Sequence, residues 1–150
     1  MGPVIGQRFD AFTFRIEASK VEELCFALRD GNAMYRDEQA ARDAGHPAIP
    51  VPPTFLNSSI QTSITGSNPV DAMGISRSRA LHAGQEYEFL APLYVGDELT
   101  GRTTLVSVTE KEGRSGKLRF LVLETRFTRD GVEVAVVRNK VVERLGKAAS

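Results

Sequence analysis

The chain has 150 residues, of which 41% are hydrophobic and 25% charged, and its 19 basic side chains balance its 19 acidic ones. This length and composition predict one globular domain over residues 1–150 and exclude disorder along the whole chain. The lack of net charge, and of any basic run, argues against nucleic-acid binding. No segment approaches the ~20 apolar residues of a membrane span, so no membrane partner is expected.

The cysteine and histidine content bears on compartment and cofactors. Cys25 is the only cysteine and cannot form an internal disulfide, and the first residues have no secretory pattern, so we expect a cytoplasmic protein. Its apolar neighbours predict a small core residue rather than a nucleophile. His46 falls in a predicted loop and His82 opens a predicted strand. No metal-ligand spacing and no glycine-rich phosphate loop occurs, so we expect neither a metal nor a cofactor.

The first half of the chain predicts a short strand followed by helices. Alternation over Phe12–Ile16 favours a strand with one buried face. Ser19 followed by Glu22 forms a capping-box pattern, which opens a first helix that ends near Arg29. A second helix, capped by Asp37, runs through Ala44 and stops at Gly45.

A third helix is predicted after the proline-rich segment Ile49–Pro53. Pro53 suits the first helical turn, because the N–H that it lacks has no helical acceptor there. Gly66–Pro69 ends this helix, and Val70–Ala80 is predicted to be a loop. The apolar stripe of the third helix consists of Phe55, Leu56, Ile60 and Ile64.

The second half predicts long strands. Tyr87 and Phe89 share one face of a strand, and Pro92–Asp97 forms a turn. Glycine-containing hairpin turns join three further strands. Neither half buries its apolar face alone, so we expect an α+β fold in which an antiparallel sheet wraps around the third helix. The three further strands are predicted at Leu99–Val108, Leu118–Phe127 and Val132–Val142.

Two stretches of the chain resemble a known enzyme family. Residues 28–35 read Leu-Arg-Asp-Gly-Asn-Ala-Met-Tyr, which is similar to the signature Gly-Asp-x-Asn-Pro-(Leu/Ile/Val)-His of MaoC-like, type 2 (R)-specific enoyl-thioester hydratases. Residues 84–100 resemble the family's second stretch, in which a strand leads into Pro-x-x-x-Gly-Asp and long hairpins. The resemblance implies the hot-dog fold, a curled antiparallel sheet around a central helix.

Within that family the chain looks closest to the dehydratase domains of fungal-type fatty acid synthase, the MaoC N-terminal-type domains and the HadA and HadC dehydratase subunits. The segments that carry this likeness are Phe9–Ile16, Ala48-Ile49 together with Pro52–Phe55, and Glu110–Gly113. The resemblance implies an acyl-coenzyme A or acyl-carrier-protein thioester as the ligand.

The resemblance also implies a site, and this chain departs from it at two positions. Asp30 and Asn32 match the family, but Tyr35 stands where the family has its histidine base. A phenol with a pKa near ~10 is a poor base at neutral pH. Pro52-Pro53 stands at the family's His-Gly, whose glycine N–H serves the oxyanion, and proline has no N–H. The site in this chain is therefore expected to be silent.

The leading hypothesis is a motif-poor subunit of a (3R)-hydroxyacyl-thioester dehydratase or trans-2-enoyl-thioester hydratase. An isolated hot-dog unit leaves a sheet edge open, so a dimer is expected, here with a catalytic MaoC-like subunit. This chain would then shape the acyl tunnel, with Phe55, Leu56 and Ile60 in its wall. Arg77 and Arg79 are candidate contacts for the phosphates of the carrier.

Other interpretations stay open from the sequence. The chain can be a self-sufficient homodimeric hydratase, with Asp30 as acid and base, Tyr35 orienting the water, and the N–H of Thr54 or Phe55 as oxyanion donor. It can also bind acyl thioesters without catalysis. Asp30 and Asn32 can simply shape the turn after the first helix. A thioesterase is disfavoured, because residues 54–67 contain no carboxylate.

Overall fold

The protein is built on one five-stranded antiparallel sheet. A computed structural model describes residues 2–59, 68–114 and 116–146. The strands follow the order β1-β3-β4-β5-β2 across the sheet, and backbone irregularities in β2 and β3 add to its curl. Their bounds are β1 Phe12–Arg15, β2 Ala80–Phe89, β3 Glu98–Gly113, β4 Gly116–Arg129 and β5 Val132–Gly146.

The three long strands β3, β4 and β5 form the predicted meander, but each is longer than the apolar pattern indicated. At the far end of the sheet Glu110 faces Arg119, which in turn faces Glu143. Ion pairs join these side chains across the strands. Charge pairs between neighbouring strands stabilise strand pairing where apolar and polar residues do not alternate. The strands therefore extend beyond the segments that the hydrophobic pattern predicted.

The hairpin turn between β4 and β5 is confirmed. Asp130 and Gly131 have φ angles of 51° and 80°, and the flanking Arg129 and Val132 are paired. Two consecutive residues with positive φ turn the chain with the twist that the flanking strands require, and an aspartate followed by a glycine adopts them readily.

Within the described residues, three helices have both ends defined and lie outside the sheet, and one predicted start is wrong. The helix α1 begins at Ala18 and not at a capping Ser19; Glu17 precedes it, and the N–H groups of Lys20 and Val21 bond to the Glu17 carbonyl. The backbone of Ile16 is held by bonds to residues 96 and 97, which fixes where the chain leaves the sheet. The helices are α1 Ala18–Leu28, α2 Glu38–Asp43 and α3 Pro69–Ala72.

The residues that cap α2 and α3 bear on two predictions, of which one is confirmed and one is wrong. The Asp37 carboxylate accepts the Ala40 N–H at 2.7 Å, as predicted for the start of α2. Val70–Ala80 is not entirely a loop, because Asn68 accepts the Val70 N–H at 2.9 Å and starts the one-turn helix α3. Asn-Pro is as good a start signal as an end signal, and the sequence did not separate the two.

The third helix predicted from the sequence begins after Ile49–Pro53 and is not α3. The structure describes it only at its entrance. Phe55–Asn57 forms a 3-10 turn, in which Phe55 and Leu56 are 0% and 1% exposed. The Phe55 ring packs 5.8 Å from the Phe14 ring. Ile60, Ile64 and Gly66 lie outside the described residues. The entrance of the predicted helix is thus part of the main core, which the sheet and α1 also form.

Candidate functional site

The loop after α1 is shaped by the two residues that match the family motif. Arg29 ends the helix in the left-handed region, with φ 56°, and the Asp30 N–H bonds back to the Cys25 carbonyl at 2.8 Å. The Asp30 carboxylate accepts the Asn32 N–H at 2.9 Å, and the Asn32 side chain accepts the Met34 N–H at 3.1 Å. Both side chains therefore build the loop, whatever further role they have.

Tyr35 closes this loop from the inside. It ends the 3-10 turn Ala33–Tyr35 and packs, half-buried, against the main core cluster. Burial first, then the negative charge of Asp30 and the nearby Cys25, raise the pKa of the Tyr35 phenol above its ordinary value. The phenol is therefore neutral at neutral pH, and a neutral phenol does not deprotonate water.

Cys25 has the core role that its neighbours predict. Its side chain is 1% exposed, and burial together with the charge of Asp30 raises the pKa of the thiol. A buried, protonated thiol is a poor nucleophile. In residues 2–59, 68–114 and 116–146, no group of three or more His, Cys, Asp or Glu side chains is placed to hold a metal ion.

The entrance of the predicted third helix offers few backbone donors. Pro52 and Pro53 have no N–H, and the Phe55 N–H bonds to the Pro52 carbonyl at 3.0 Å. Of the two backbone donors considered from the sequence, the Phe55 N–H is thus already engaged. The Thr54 N–H has no acceptor within the described ranges, and Thr54 itself is exposed.

Tyr87 reaches the same entrance from β2, and sequence reasoning missed it. Its hydroxyl lies 3.4 Å from the Thr54 carbonyl oxygen, a contact across 33 residues of sequence. The prediction that Tyr87 and Phe89 share a face is confirmed, since their rings stack at 6.3 Å. The alternation of residues along the strand predicts this shared face. Its position opposite Thr54 depends instead on how the sheet folds over the helix entrance.

An apolar pocket of about 440 Å³ opens beside Pro53. This volume lies within the ~300–1,000 Å³ range of small-molecule sites. The pocket and the Asp30 loop border the same core cluster, against which Tyr35, Val51 and Tyr87 pack. The pocket is lined by His46, Pro50, Val51, Pro53, Phe89, Leu90, Ala91, Pro92 and Leu93.

The predicted acyl-wall residues lie elsewhere. Phe55 and Leu56 are buried in the core and do not line this pocket, and Ile60 lies outside the described residues. Their contact with an acyl chain stays a prediction. It requires that the acyl chain enter between the helix entrance and the sheet. The pocket instead presents Val51, Phe89 and Leu93, none of which the sequence indicated as an acyl-wall residue.

The two candidate phosphate contacts have different surroundings. Arg77 is exposed and forms two hydrogen bonds with Asp71, at 3.0 and 2.6 Å. Arg79 lies 3.4 Å from Glu143, whose side chain is only 3% exposed and also pairs with Arg119 at 3.0 Å. Arg77 is thus free to exchange its partner for a ligand at the surface, whereas Arg79 compensates a buried charge.

The chain matches the model of the FAS1-like dehydratase domain region over residues 3–137. It belongs to this family. Among curated relatives, a UPF0336 protein of Parafrankia is 32% identical over 115 residues, which cover 77% of this chain and 74% of the relative. The FAS1-like dehydratase family is thus shown by a match over most of the chain, as the motifs at residues 28–35 and 84–100 predicted.

Solved structures confirm the hot-dog fold of this member of the FAS1-like dehydratase family. A chain of the HadBC (3R)-hydroxyacyl-ACP dehydratase complex of Mycobacterium tuberculosis matches with a TM-score of 0.76 at 21% identity, over 93% of this chain and 97% of that one. A chain of the ChsH1–ChsH2 complex of the same organism gives 0.75 at 19%, over 95% and 86%. A MaoC-like dehydratase of Rhodospirillum rubrum gives 0.71 at 21%, over 99% and 96%.

Proposed function

We propose that this chain is the motif-poor subunit of a (3R)-hydroxyacyl-thioester dehydratase or trans-2-enoyl-thioester hydratase. The observation that carries the proposal is the neutral, half-buried Tyr35 beside Asp30. Hydration of an enoyl thioester needs a group that takes a proton from water as the oxygen bonds to C3. Asp30 remains, but its expected histidine partner is replaced by a phenol that does not accept a proton at neutral pH.

A second defect in the same site supports the proposal. Loss of a general base costs roughly 10²–10⁴-fold in rate, and loss of one oxyanion donor about 10²–10³-fold. Tyr35 represents the first loss and Pro53 the second. Because both groups act on the same step, the losses are not additive, and the site is slower by at least the larger single loss, roughly 10²–10⁴-fold. A chain with such a site contributes to turnover through a partner whose own motif is complete.

The sheet edge supports the assignment of a partner. The strand β2, ten residues long, lies at the edge of the sheet and pairs with β5 on one side. Leu81 and Phe89, at its two ends, are 47% and 43% exposed. A long edge strand with exposed apolar side chains is suited to pairing with another chain. Two of the proteins similar to this chain are named as complexes, HadBC and ChsH1–ChsH2.

The pocket beside Pro53 supports an acyl thioester as the ligand. Its lining is almost wholly apolar, with His46 as the one titratable side chain. Exposed Arg77 can contact the phosphates that coenzyme A and the carrier-protein arm share. A contact with these shared phosphates would not distinguish the two carriers.

Co-expression tests the proposal. The chain is expressed with a motif-complete MaoC-like protein, and hydration of crotonyl-CoA and of longer enoyl-CoA substrates is measured for the co-purified complex and for each chain alone. We expect a stable complex that hydrates at least one substrate faster than the partner alone, and negligible activity of this chain alone. No complex and no rate increase would contradict the proposal.

A matched pair of variants tests whether β2 is the interface. Leu81→Asp places a charge on the edge strand. Val106→Asp places one on β3, which β4 and β5 separate from β2, at a side chain that is 39% exposed. We expect Leu81→Asp to weaken the complex at least tenfold and Val106→Asp to leave it within about twofold. Equal effects would exclude β2 as the contact.

One observation favours a second candidate, a self-sufficient homodimer. Thr54 is exposed, and its N–H has no acceptor in the described part of the chain, so one backbone donor remains at the helix entrance. Under this hypothesis Asp30 acts as acid and base, and the purified chain alone hydrates enoyl thioesters. Activity of the chain alone that is lost in Asp30→Asn and kept in Cys25→Ala would establish it.

A further inference from the structure

The Tyr87 hydroxyl is a polar group without a strong partner, next to the pocket beside Pro53. Its 3.4 Å distance to the Thr54 oxygen lies beyond the usual range for a hydroxyl donor, about 2.5–3.0 Å. The same Thr54 carbonyl already accepts the Asn57 N–H at 3.1 Å. The hydroxyl can therefore turn toward a ligand without leaving the Thr54 carbonyl unsatisfied.

The ring that carries this hydroxyl is held firmly. Tyr87 is half-buried, packs against the main core cluster and stacks on Phe89 with an interplanar angle of 3°. Burial raises the pKa of the Tyr87 phenol, so it keeps its proton and remains a donor at neutral pH. A fixed ring with a protonated hydroxyl is a preorganised hydrogen-bond donor.

The surroundings specify what the hydroxyl would meet. Phe89, the stacking partner of Tyr87, also lines the pocket, and so does Pro53, next to Thr54. The prolines supply no N–H, and the Phe55 N–H is engaged. A ligand that fills this pocket finds walls that are apolar apart from His46. Where it extends past Pro53 toward Thr54, beyond the lining residues, it would reach the Tyr87 hydroxyl as a side-chain donor. This combination suits a carbonyl oxygen at the end of an apolar chain.

Taking the acyl-thioester class from the proposed function, we propose that the Tyr87 hydroxyl donates a hydrogen bond to the carbonyl oxygen of an acyl thioester whose chain occupies the pocket between Pro53 and Phe89. The hydroxyl keeps its proton, and no bond of the ligand forms or breaks. This chain therefore holds an acyl thioester at its own helix entrance without hydrating it. A complex with a catalytic partner would bind a ligand on each subunit.

The test uses butyryl-CoA, a saturated thioester that no hydratase converts, with ¹³C at the thioester carbonyl. The purified full chain, Tyr87→Phe and Tyr94→Phe are compared by titration calorimetry and by difference infrared spectroscopy. Tyr94→Phe is the matched control, because it also removes one tyrosine hydroxyl but leaves the Tyr87–Thr54 contact in place. Circular dichroism establishes that each variant is folded.

We expect the carbonyl stretch of bound butyryl-CoA to lie at lower wavenumber than in solution, and to return toward the solution value in Tyr87→Phe. The dissociation constant should rise roughly 3- to 10-fold in Tyr87→Phe, as for loss of one hydrogen bond, and stay within twofold in Tyr94→Phe. An unshifted carbonyl, an unchanged affinity in Tyr87→Phe, or no binding by the chain would overturn the inference. The hydration assay of the complex judges the proposed function separately.

Discussion

Arg129 binds the Asp97 carboxylate with a distance of 2.6 Å between Nη1 and Oδ2, and thereby joins the end of β4 to the turn that precedes β3. The same carboxylate oxygen accepts the Tyr94 N–H at 2.9 Å. Both charged side chains are partly buried. The Gly-Asp motif that indicated the family from the sequence thus has a structural role, which is to hold the turn from residue 92 to 97 against the sheet.

Replacing this carboxylate should destabilise the fold. Asp97→Asn keeps the size of the side chain but removes its charge from Arg129, and we expect the free energy of unfolding to fall by about 1–3 kcal/mol. Arg15→Gln is the control, because it breaks an exposed pair with Glu17 and should cost no more than about 0.5 kcal/mol. Urea unfolding measures both. Equal losses would show that the Asp97–Arg129 pair stabilises the fold no more than an exposed ion pair.

Alkaline pH should destabilise the wild type more than Tyr35→Phe. The pKa of Tyr35 is raised in the folded chain, mainly by burial. The stability that this contributes is complete below the unfolded pKa of about 10 and is lost as the pH rises through the folded value. Above about pH 10, the unfolding free energy of the wild type should therefore fall more steeply than that of Tyr35→Phe.

Asp30→Asn provides a second arm of this measurement. The negative charge of Asp30 is the second cause of the raised Tyr35 pKa, while an asparagine can still accept the Asn32 N–H. The variant should keep the loop and lose part of the alkaline effect. A wild type and Tyr35→Phe with parallel stabilities up to pH 11 would show that Tyr35 is not buried as described.

The sequence predicted the sheet better than the helix starts. Long strands alternate between a buried and an exposed face, and hairpin turns such as Asp130-Gly131 have their own residue preferences. The start of α1 instead depends on Ile16, whose backbone is bound to the turn at residues 96 and 97. Such a contact overrides the Ser19 capping pattern and is not visible in local sequence.

The candidate site was predictable in its motif residues but not in its partners. Asp30, Asn32 and Tyr35 lie within six consecutive residues, so one loop brings them together. The contact of Tyr87 with Thr54 and the pairing of Arg79 with Glu143 each join distant segments. Only the fold of the sheet determines these contacts.

Restoring both missing groups should give the site in this chain hydratase activity. Tyr35→His returns a base beside Asp30, and Pro53→Gly returns a backbone N–H at the helix entrance. Each single change should raise the hydration of crotonyl-CoA by less than about tenfold, and the double variant by more than the product of the two, because each group needs the other. Glycine at 53 should cost about 1 kcal/mol of stability. A folded double variant no faster than wild type would contradict this construction of the site.

The two arginines should differ in their effects. Arg77→Gln should weaken the binding of butyryl-CoA several-fold, but leave unchanged the binding of the N-acetylcysteamine thioester, which has no phosphate. Arg79→Gln should instead lower the free energy of unfolding by about 1 kcal/mol, because buried Glu143 loses one partner. Equal weakening of both thioesters by Arg77→Gln would exclude a phosphate contact.

Inactivating one subunit at a time tests most directly whether the site in this chain is silent. In the co-purified complex, Asp30→Asn in this chain is compared with replacement of the catalytic aspartate in the motif-complete partner, and the initial rate of crotonyl-CoA hydration is measured. We predict that Asp30→Asn leaves the rate within about twofold, while the partner's replacement lowers it at least 100-fold, as for loss of a general base. A 100-fold loss from Asp30→Asn would contradict the assignment and place the chemistry in this chain.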